Sequence, residues 1–396
     1  MKVMTVWIIA VALIILLIIF GYTHGVIKMV ITGIGLLVGC MFAMPFSSLL
    51  YPIFSLAKIY NPIILWTVSP LIIILGFSVV SATVATVVSN KVEAHFRHHV
   101  PDFKKVLWDR LNQRLGIFAS MINAFIYFIL ICVVGYVLGY PAYQLSSGDQ
   151  DRTMFRMLVG FYEDLAKTKM NVVAAAFDPA PPKYYAWSDM LGILYHNPHL
   201  WERAGKYPPI MALSEKPEFQ DILKDEALVA KFKNREPIQS LFSEPKVQAI
   251  ITNSTFTAEL LKIDLKDFTN YLHTGQTDKF PELILGNWVF DLKATLVKLR
   301  QSKPKMSRIE AILLERSYST NIQSARLTAL IDKNIILRIT DTRNNLQIFK
   351  GTWEKSGAGT YRVTWQGGNI SREIEIEPDR LILRKDNKLM IFEAEY

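Results

Sequence analysis

Thirty consecutive residues, Asn61 to Asn90, contain no Asp, Glu, Lys or Arg. Crossing a bilayer takes roughly 20 apolar residues, so a run of this length and character predicts a membrane helix. Three more runs are long and apolar enough: about Thr5 to Tyr22, from after Lys28 to about Phe46, and Leu115 to about Tyr140. Trp7, Tyr51, Trp66 and Tyr140 stand near the ends of these runs, where aromatic side chains anchor at the interface. Lys2 precedes the first run, but no A-x-A-like site follows before Gly25, so the run is expected to be a retained helix and not a cleaved signal peptide.

Charge is distributed to match. Residues 1–148 carry nine Lys/Arg and three Asp/Glu, whereas residues 149–396 carry 35 and 32. The chain is 51% hydrophobic and 20% charged, with positive mean hydropathy. These figures exclude a simple cytosolic enzyme and a disordered chain. Much of the +9 net charge sits between apolar runs or is diluted among acids, which argues against a nucleic-acid partner. Both cysteines, Cys40 and Cys132, fall inside apolar runs, so the polar part has no disulfide framework, zinc cluster or thiol redox site.

Four helices would set the 22–28 and 91–114 loops on one side, with Lys28, Lys91, Arg97, Lys104, Lys105, Arg110 and Arg114. The other side has Lys2 and Lys58. The positive-inside rule makes the first side cytoplasmic and leaves both termini outside. Within the basic loop, Phe103, Val106, Leu107, Leu111 and Leu115 recur at helical spacing. That pattern fits an amphipathic helix on an anionic leaflet, but fits better the plain basic flank that fixes topology. His95 and His99 have the spacing of a helical ligand pair, but no second-shell partner is evident and interfacial loops often carry imidazoles; no metal or cofactor is expected. Gly21/Gly25, Gly35/Gly39 and Gly135/Gly139 form three G-x-x-x-G motifs, which predict close helix packing and a route to homo-oligomers. No charged residue lies mid-membrane, which favours a scaffold over a proton-coupled carrier. Asn123, Ser120 and the Ser/Thr face of the third helix are the polar groups from which a channel would have to be built.

The glycine-rich turn Gly21-Tyr-Thr-His-Gly25-Val-Ile-Lys28 and the run Trp108-Asp-Arg-Leu-Asn-Gln-Arg-Leu-Gly116, on a four-helix pattern, resemble the CvpA family, the colicin V production proteins. The resemblance covers about residues 1–145. It implies a bacterial inner-membrane protein associated with toxin production and envelope maintenance, and it brings no catalytic residue. His24-Gly25 stands where the family commonly has Arg-Gly.

Residues 150–315 read as a helical exported domain. Leu213-Ser-Glu-Lys-Pro217-Glu-Phe219-Gln-Asp-Ile222-Leu223 aligns with Leu241-Phe-Ser-Glu-Pro245-Lys-Val247-Gln-Ala-Ile250-Ile251, a weak repeat in which Pro opens a helix. If the copies stack, Phe219, Leu223, Val247 and Ile251 form one apolar strip open to an envelope partner; if they close on each other, the strip is core. Residues 320–396 change to period two: Asn334–Thr340, Leu346–Trp353, Thr360–Trp365, Ile370–Ile376, Arg380–Arg384 and Leu389–Ala394 read as strands separated by turn-formers. They predict an antiparallel meander or half-barrel similar to lipocalin-type modules, with Trp353, Tyr361 and Trp365 as core or as a stacking platform. The fold class is thus a four-helix membrane domain, a helical domain and a small β module, α+β overall. No G-x-S-x-G, H-E-x-x-H, Walker loop, G-x-G-x-x-G or C-x-x-C is present. A non-enzymatic scaffold at the inner membrane is the leading expectation, with a transport component or an envelope enzyme as alternatives.

Overall fold

Among the described residues, three helices are long and apolar enough to cross a membrane: α1 (Thr5–Ser47), α2 (Pro62–His99) and α3 (Asp102–Gln144). The structure, a computed structural model, describes residues 5–57, 59, 62–216, 219–220, 225–303, 306–366, 371–385 and 388–395. It divides into two units, residues 1–197 with 225–262 and residues 198–224 with 263–396. The count of long apolar helices is three and not the expected four, because the first two apolar runs belong to one element. In place of a polar loop at 22–28 there is a single non-helical residue, Gly25, at φ 76° and ψ 172°. That region of backbone space is open essentially to glycine alone.

Gly25 turns α1 back on itself. Before it, Val6 and Ala10 are buried with Phe128, Cys132 and Val137 of α3. Gly21 then meets Gly116, and Gly25 meets Asn112. After it the order along α3 reverses: the Asn123 amide donates to the Met29 carbonyl (2.8 Å), and Leu36 packs with Ile126 and Leu130. A straight helix of 43 residues would span roughly 64 Å, and its two ends would not both reach the same half of α3. The two arms are therefore antiparallel. Asn112 supports the bend by accepting from the Val26 amide (2.8 Å), which caps the second arm from another helix.

Buried positions in these helices are largely small, including Gly21, Gly33, Gly39, Ala43, Ala85, Ser81 and Ala124, while large aliphatic side chains point outward. Helices in lipid pack this way, because apolar bulk gains nothing by leaving hydrocarbon and close backbone approach gains dispersion contacts. The expected 91–114 loop is also helical: only Val100 and Pro101 separate α2 from α3, and Phe96 stacks on Trp108 at 4.5 Å across the junction. The amphipathic segment is the first turns of α3, not a separate helix.

Beyond α3, the first unit continues with α4 (Thr153–Lys167), α5 (Met170–Ala176) and α6 (Pro182–His196). Gly135 and Gly139 admit the rings of Phe161 and Tyr162 from α4. The Thr5 amide donates to Asp164 (3.0 Å), fastening the start of α1 to the same helix.

The second unit is built around a closed antiparallel barrel in the order β1-β2-β3-β4-β5-β6-β7-β8. The strands β3 (Asn334–Thr340), β4 (Leu346–Gly357), β5 (Thr360–Trp365), β6 (Ser371–Glu377), β7 (Arg380–Lys385) and β8 (Lys388–Ala394) match the period-two segments. The half-barrel closes because β1 (Gly286–Phe290) and β2 (Ser324–Ala329) join it, β1 pairing with both β2 and β8. The β module thus begins inside the stretch expected to be helical up to 315. α7 (Leu292–Ser302) and α8 (Arg308–Asn321) are inserted between β1 and β2. Alternate residues such as Leu327, Ile335, Trp353, Val363, Leu381 and Phe392 fill the interior. Lys333, Asn344, Gly359 and Asp379 take positive φ at the strand junctions, as tight hairpins require.

Glu282 seals one side of this core. It accepts from the Tyr361 hydroxyl (2.9 Å) and pairs with Lys355 (3.1 Å). The Lys355 ammonium, helped by that hydroxyl, holds the Glu282 carboxyl below the usual carboxylate range. Its stabilising effect is therefore complete above the ordinary carboxylate pKa and is lost as pH falls through the lowered value. Burial and Glu282 push Tyr361 up to about 12, so its contribution holds below its ordinary pKa and is lost as pH rises through about 12. The expected result is that Glu282→Gln destabilises the protein at neutral pH and that its deficit shrinks below about pH 5. Urea midpoints across pH, read from near-UV dichroism, measure this; a pH-independent deficit would refute it.

Candidate functional site

Along most of their length α2 and α3 pack on α1 and touch each other little. At the end away from Gly25 this leaves a cleft of about 580 Å³. Cys40 and Ala43 of α1's second arm lie on its floor, with Leu71 of α2 and Leu130 and Val134 of α3 on its walls. Phe177 and Pro179, in the turn between α5 and α6, close its outer end. The lining is almost wholly apolar, and the volume lies in the range of small-molecule sites, about 300–1,000 Å³.

A cluster of tyrosines adjoins that end. Tyr136, Tyr140 and Tyr143 project from α3, Tyr162 from α4, and Tyr184 and Tyr185 from α6. Tyr140 meets Tyr185 edge-on at 4.8 Å and Tyr162 at 6.0 Å; Tyr136 lies 6.0 Å from Tyr185. Two half-buried carboxylates are set among them. Asp178, between the two capping residues, accepts from the Tyr185 hydroxyl (2.5 Å) and the Ala180 amide (2.8 Å). Asp189 accepts through one oxygen from Tyr140 (2.6 Å) and Gln144 (2.8 Å). Neither has a Lys or Arg partner among the described residues. Burial, with Asp178 adding to it, pushes the Tyr184 and Tyr185 hydroxyls well above the ordinary phenol range. They stay protonated and serve as donors.

The six glycines of the G-x-x-x-G motifs are all used within the chain: Gly21 against Gly116 and Ser120, Gly25 against Asn112, Gly35 against Ser81, Gly39 against Phe77 and Ile74, and Gly135 and Gly139 against α4. The basic residues gather at the opposite end from the cleft. Lys91 and Arg97 lie on the last turns of α2, with the Arg97 side chain outside the described residues, and Lys104, Lys105, Arg110 and Arg114 lie on the first turns of α3. His95 and His99 stack ring on ring at 5.3 Å, and among the described residues no three His, Cys, Asp or Glu form a metal-sized group. Of the polar groups considered for a channel, Ser120 bonds to Ile117, Asn123 to Met29, Ser81 to Ser78 and Thr86 to Ala82, while Ser69 of α2 is buried with no hydrogen-bond partner among the described residues.

The expected apolar strip is not assembled within one unit. Val247 and Ile251, on the helix Pro245–Ile251, belong to the first unit, and Phe219 belongs to the second; Leu223 lies outside the described residues. Each copy has its tertiary partner within its own unit. Gln239, just before the second copy, donates to Asp151 (3.4 Å), whereas Glu215 in the first copy pairs with Arg338 of β3. Val247 is only 8% exposed. Val247→Asp is accordingly expected to cost about 3 kcal/mol or more, as an unpaired buried charge does. Thermal melting of the detergent-solubilised protein checks this, and an unchanged midpoint would return Val247 to a binding surface.

The sequence reading did not single out Tyr136, Tyr162, Tyr185, Asp178 or Asp189. The signal available was the spacing of Tyr136, Tyr140 and Tyr143, which puts three phenols on one helical face; nothing local marks the two aspartates as their partners. Compared with protein-family models, curated proteins and solved structures, the chain matches none.

Proposed function

We propose that this protein crosses a bacterial inner membrane four times, through the two arms of α1, then α2, then α3. Both termini lie on the extracytoplasmic side, where the protein acts as a non-enzymatic envelope scaffold of the kind represented by the CvpA family, linked to toxin production and envelope maintenance. The observation that carries this reading is the reversal at Gly25. It brings the 22–28 turn beside Asn112, at the same end as Lys91, Lys104, Lys105, Arg110 and Arg114, so one end of the bundle holds the positive charge expected of a cytoplasmic face. The other end carries α4, α5 and α6, clamped through Gly135, Gly139 and Asp164, a rigid mount suited to presenting an exported region. The bonding of Ser120, Asn123, Ser81 and Thr86 to backbone favours a scaffold over a conducting path.

Paired reporter fusions test the topology. A reporter active only outside the cytoplasm should be active when joined after Ser147 and silent when inserted between Val100 and Pro101. The opposite pattern would overturn the orientation and the envelope-facing role with it.

A further inference from the structure

We propose that the cleft between α2 and α3 seats one acyl chain of a bilayer lipid whose headgroup carries an ammonium group, with that headgroup held against Tyr140, Tyr185, Asp178 and Asp189. The proposal rests on the membrane reading above, and two separate observations carry it.

The first is the cleft. Its walls are apolar and, in that reading, they stand at bilayer depth. A dry apolar cavity offers water no partners; the molecules beside it are lipid chains. α2 and α3 touch each other little, so a chain enters sideways from the bilayer, with Phe177 and Pro179 lining the outer end beside the headgroup. The second observation is the pair of carboxylates. Half-buried charge without a counter-charge is costly. Asp178 and Asp189 are nonetheless set among aromatic rings with hydroxyl and amide donors only, and Asp189 keeps one oxygen free of the bonds to Tyr140 and Gln144. The two carboxylates, with the faces of the neighbouring tyrosine rings, form a seat for a cation.

Position joins the two. Asp178 lies between the residues that cap the cleft, and the Tyr184 hydroxyl donates to the carbonyl of Val137, a wall residue (2.7 Å). An apolar slot ending in a cation seat matches an ammonium-headed lipid. It disfavours an anionic one, whose phosphate would meet the carboxylates of Asp178 and Asp189.

The experiment uses the full-length protein, purified in detergent, stripped of lipid, and re-equilibrated with equal amounts of phosphatidylethanolamine and phosphatidylglycerol; retained lipid is identified by native mass spectrometry. One phosphatidylethanolamine per chain is expected, preferred about tenfold. Leu130→Trp, which fills the cleft, should abolish retention of both lipids. The double variant Asp178→Asn, Asp189→Asn should still retain one lipid but lose the headgroup preference. Val134→Phe, a smaller filling change at a partly buried wall residue, serves where Leu130→Trp does not fold, and should lower retention at least fivefold. Equal retention of both lipids by the unaltered protein, a preference that survives the double variant, or undiminished retention by the filled variants would each overturn the proposal. Resistance of the same protein to alkaline extraction from membranes separates the two failures: if it holds while lipid retention fails, the lipid seat alone is lost.

Discussion

Gly116→Leu is expected to unfold the membrane unit, while Gly76→Ala in α2 leaves it intact. A Cβ added at Gly116 would fall 2.3 Å from the Gly21 carbonyl oxygen and 2.9–3.0 Å from Gly25 backbone atoms. These are main-chain atoms of the opposing arm at its bend, and they have no rotamer by which to move aside. Overpacking costs about 1–3 kcal/mol where side chains can yield, so a cost at or above about 3 kcal/mol is expected here. Gly25→Ala adds a second penalty, since it forces a side chain onto φ 76°, worth about 1–3 kcal/mol, and into the Asn112 amide that caps the second arm. A Cβ at Gly76 meets nothing within 4 Å, and a helical Gly→Ala change there is expected to gain up to about 1 kcal/mol. Thermal melting in detergent ranks the three. If Gly116→Leu melts with Gly76→Ala, the two arms do not cross α3 at backbone contact, and the hairpin that gives α1 its two passes is wrong.

The contrast between those glycines marks where sequence reading reaches its limit. Hydropathy identified the long apolar runs, because each one alone meets the length of a bilayer. It read a loop around Gly25, since a change of direction ordinarily needs polar residues exposed to water. Glycine at a conformation closed to other residues made the turn in a single step, and no periodicity reveals ψ. The barrel behaves similarly. Six strands were legible from their alternation and the turn residues between them. β1 and β2 were not: Gly286–Phe290 and Ser324–Ala329 are five and six residues long, and the hydrogen-bond partners of β1, namely β2 and β8, lie far along the chain. The tyrosine and aspartate rim was the least visible. Its members come from α3, α4 and α6 and from the turn between α5 and α6, and only their packing makes them neighbours.

Trp353→Ala is expected to be the most damaging single change in the second unit, with Trp365→Ala well below it. Both tryptophans, with Tyr361, read from the sequence as core in preference to a stacking platform; burial and polar satisfaction set the two tryptophans apart. Trp353 is 5% exposed, its indole N–H donates to the Leu330 carbonyl (3.0 Å), and its ring meets Tyr361 edge-on at 5.7 Å. Tyr361 in turn donates to Glu282 and accepts from the Leu283 amide, which ties the approach to β1 onto the interior of the barrel. Removing the indole leaves a void the surrounding strands fill only partly, at a cost of about 3–5 kcal/mol. That is a large share of the 5–15 kcal/mol by which domains are ordinarily stable. Trp365 is only half-buried and lies over Gly351, its partner across β4 and β5, covering a strand glycine; its loss is expected to cost about 1 kcal/mol. Limited proteolysis of the full-length protein in urea, followed through fragments cut within residues 286–396, reads both. Equal sensitivity of the two variants would place Trp353 outside the core and restore the aromatic platform as a binding surface.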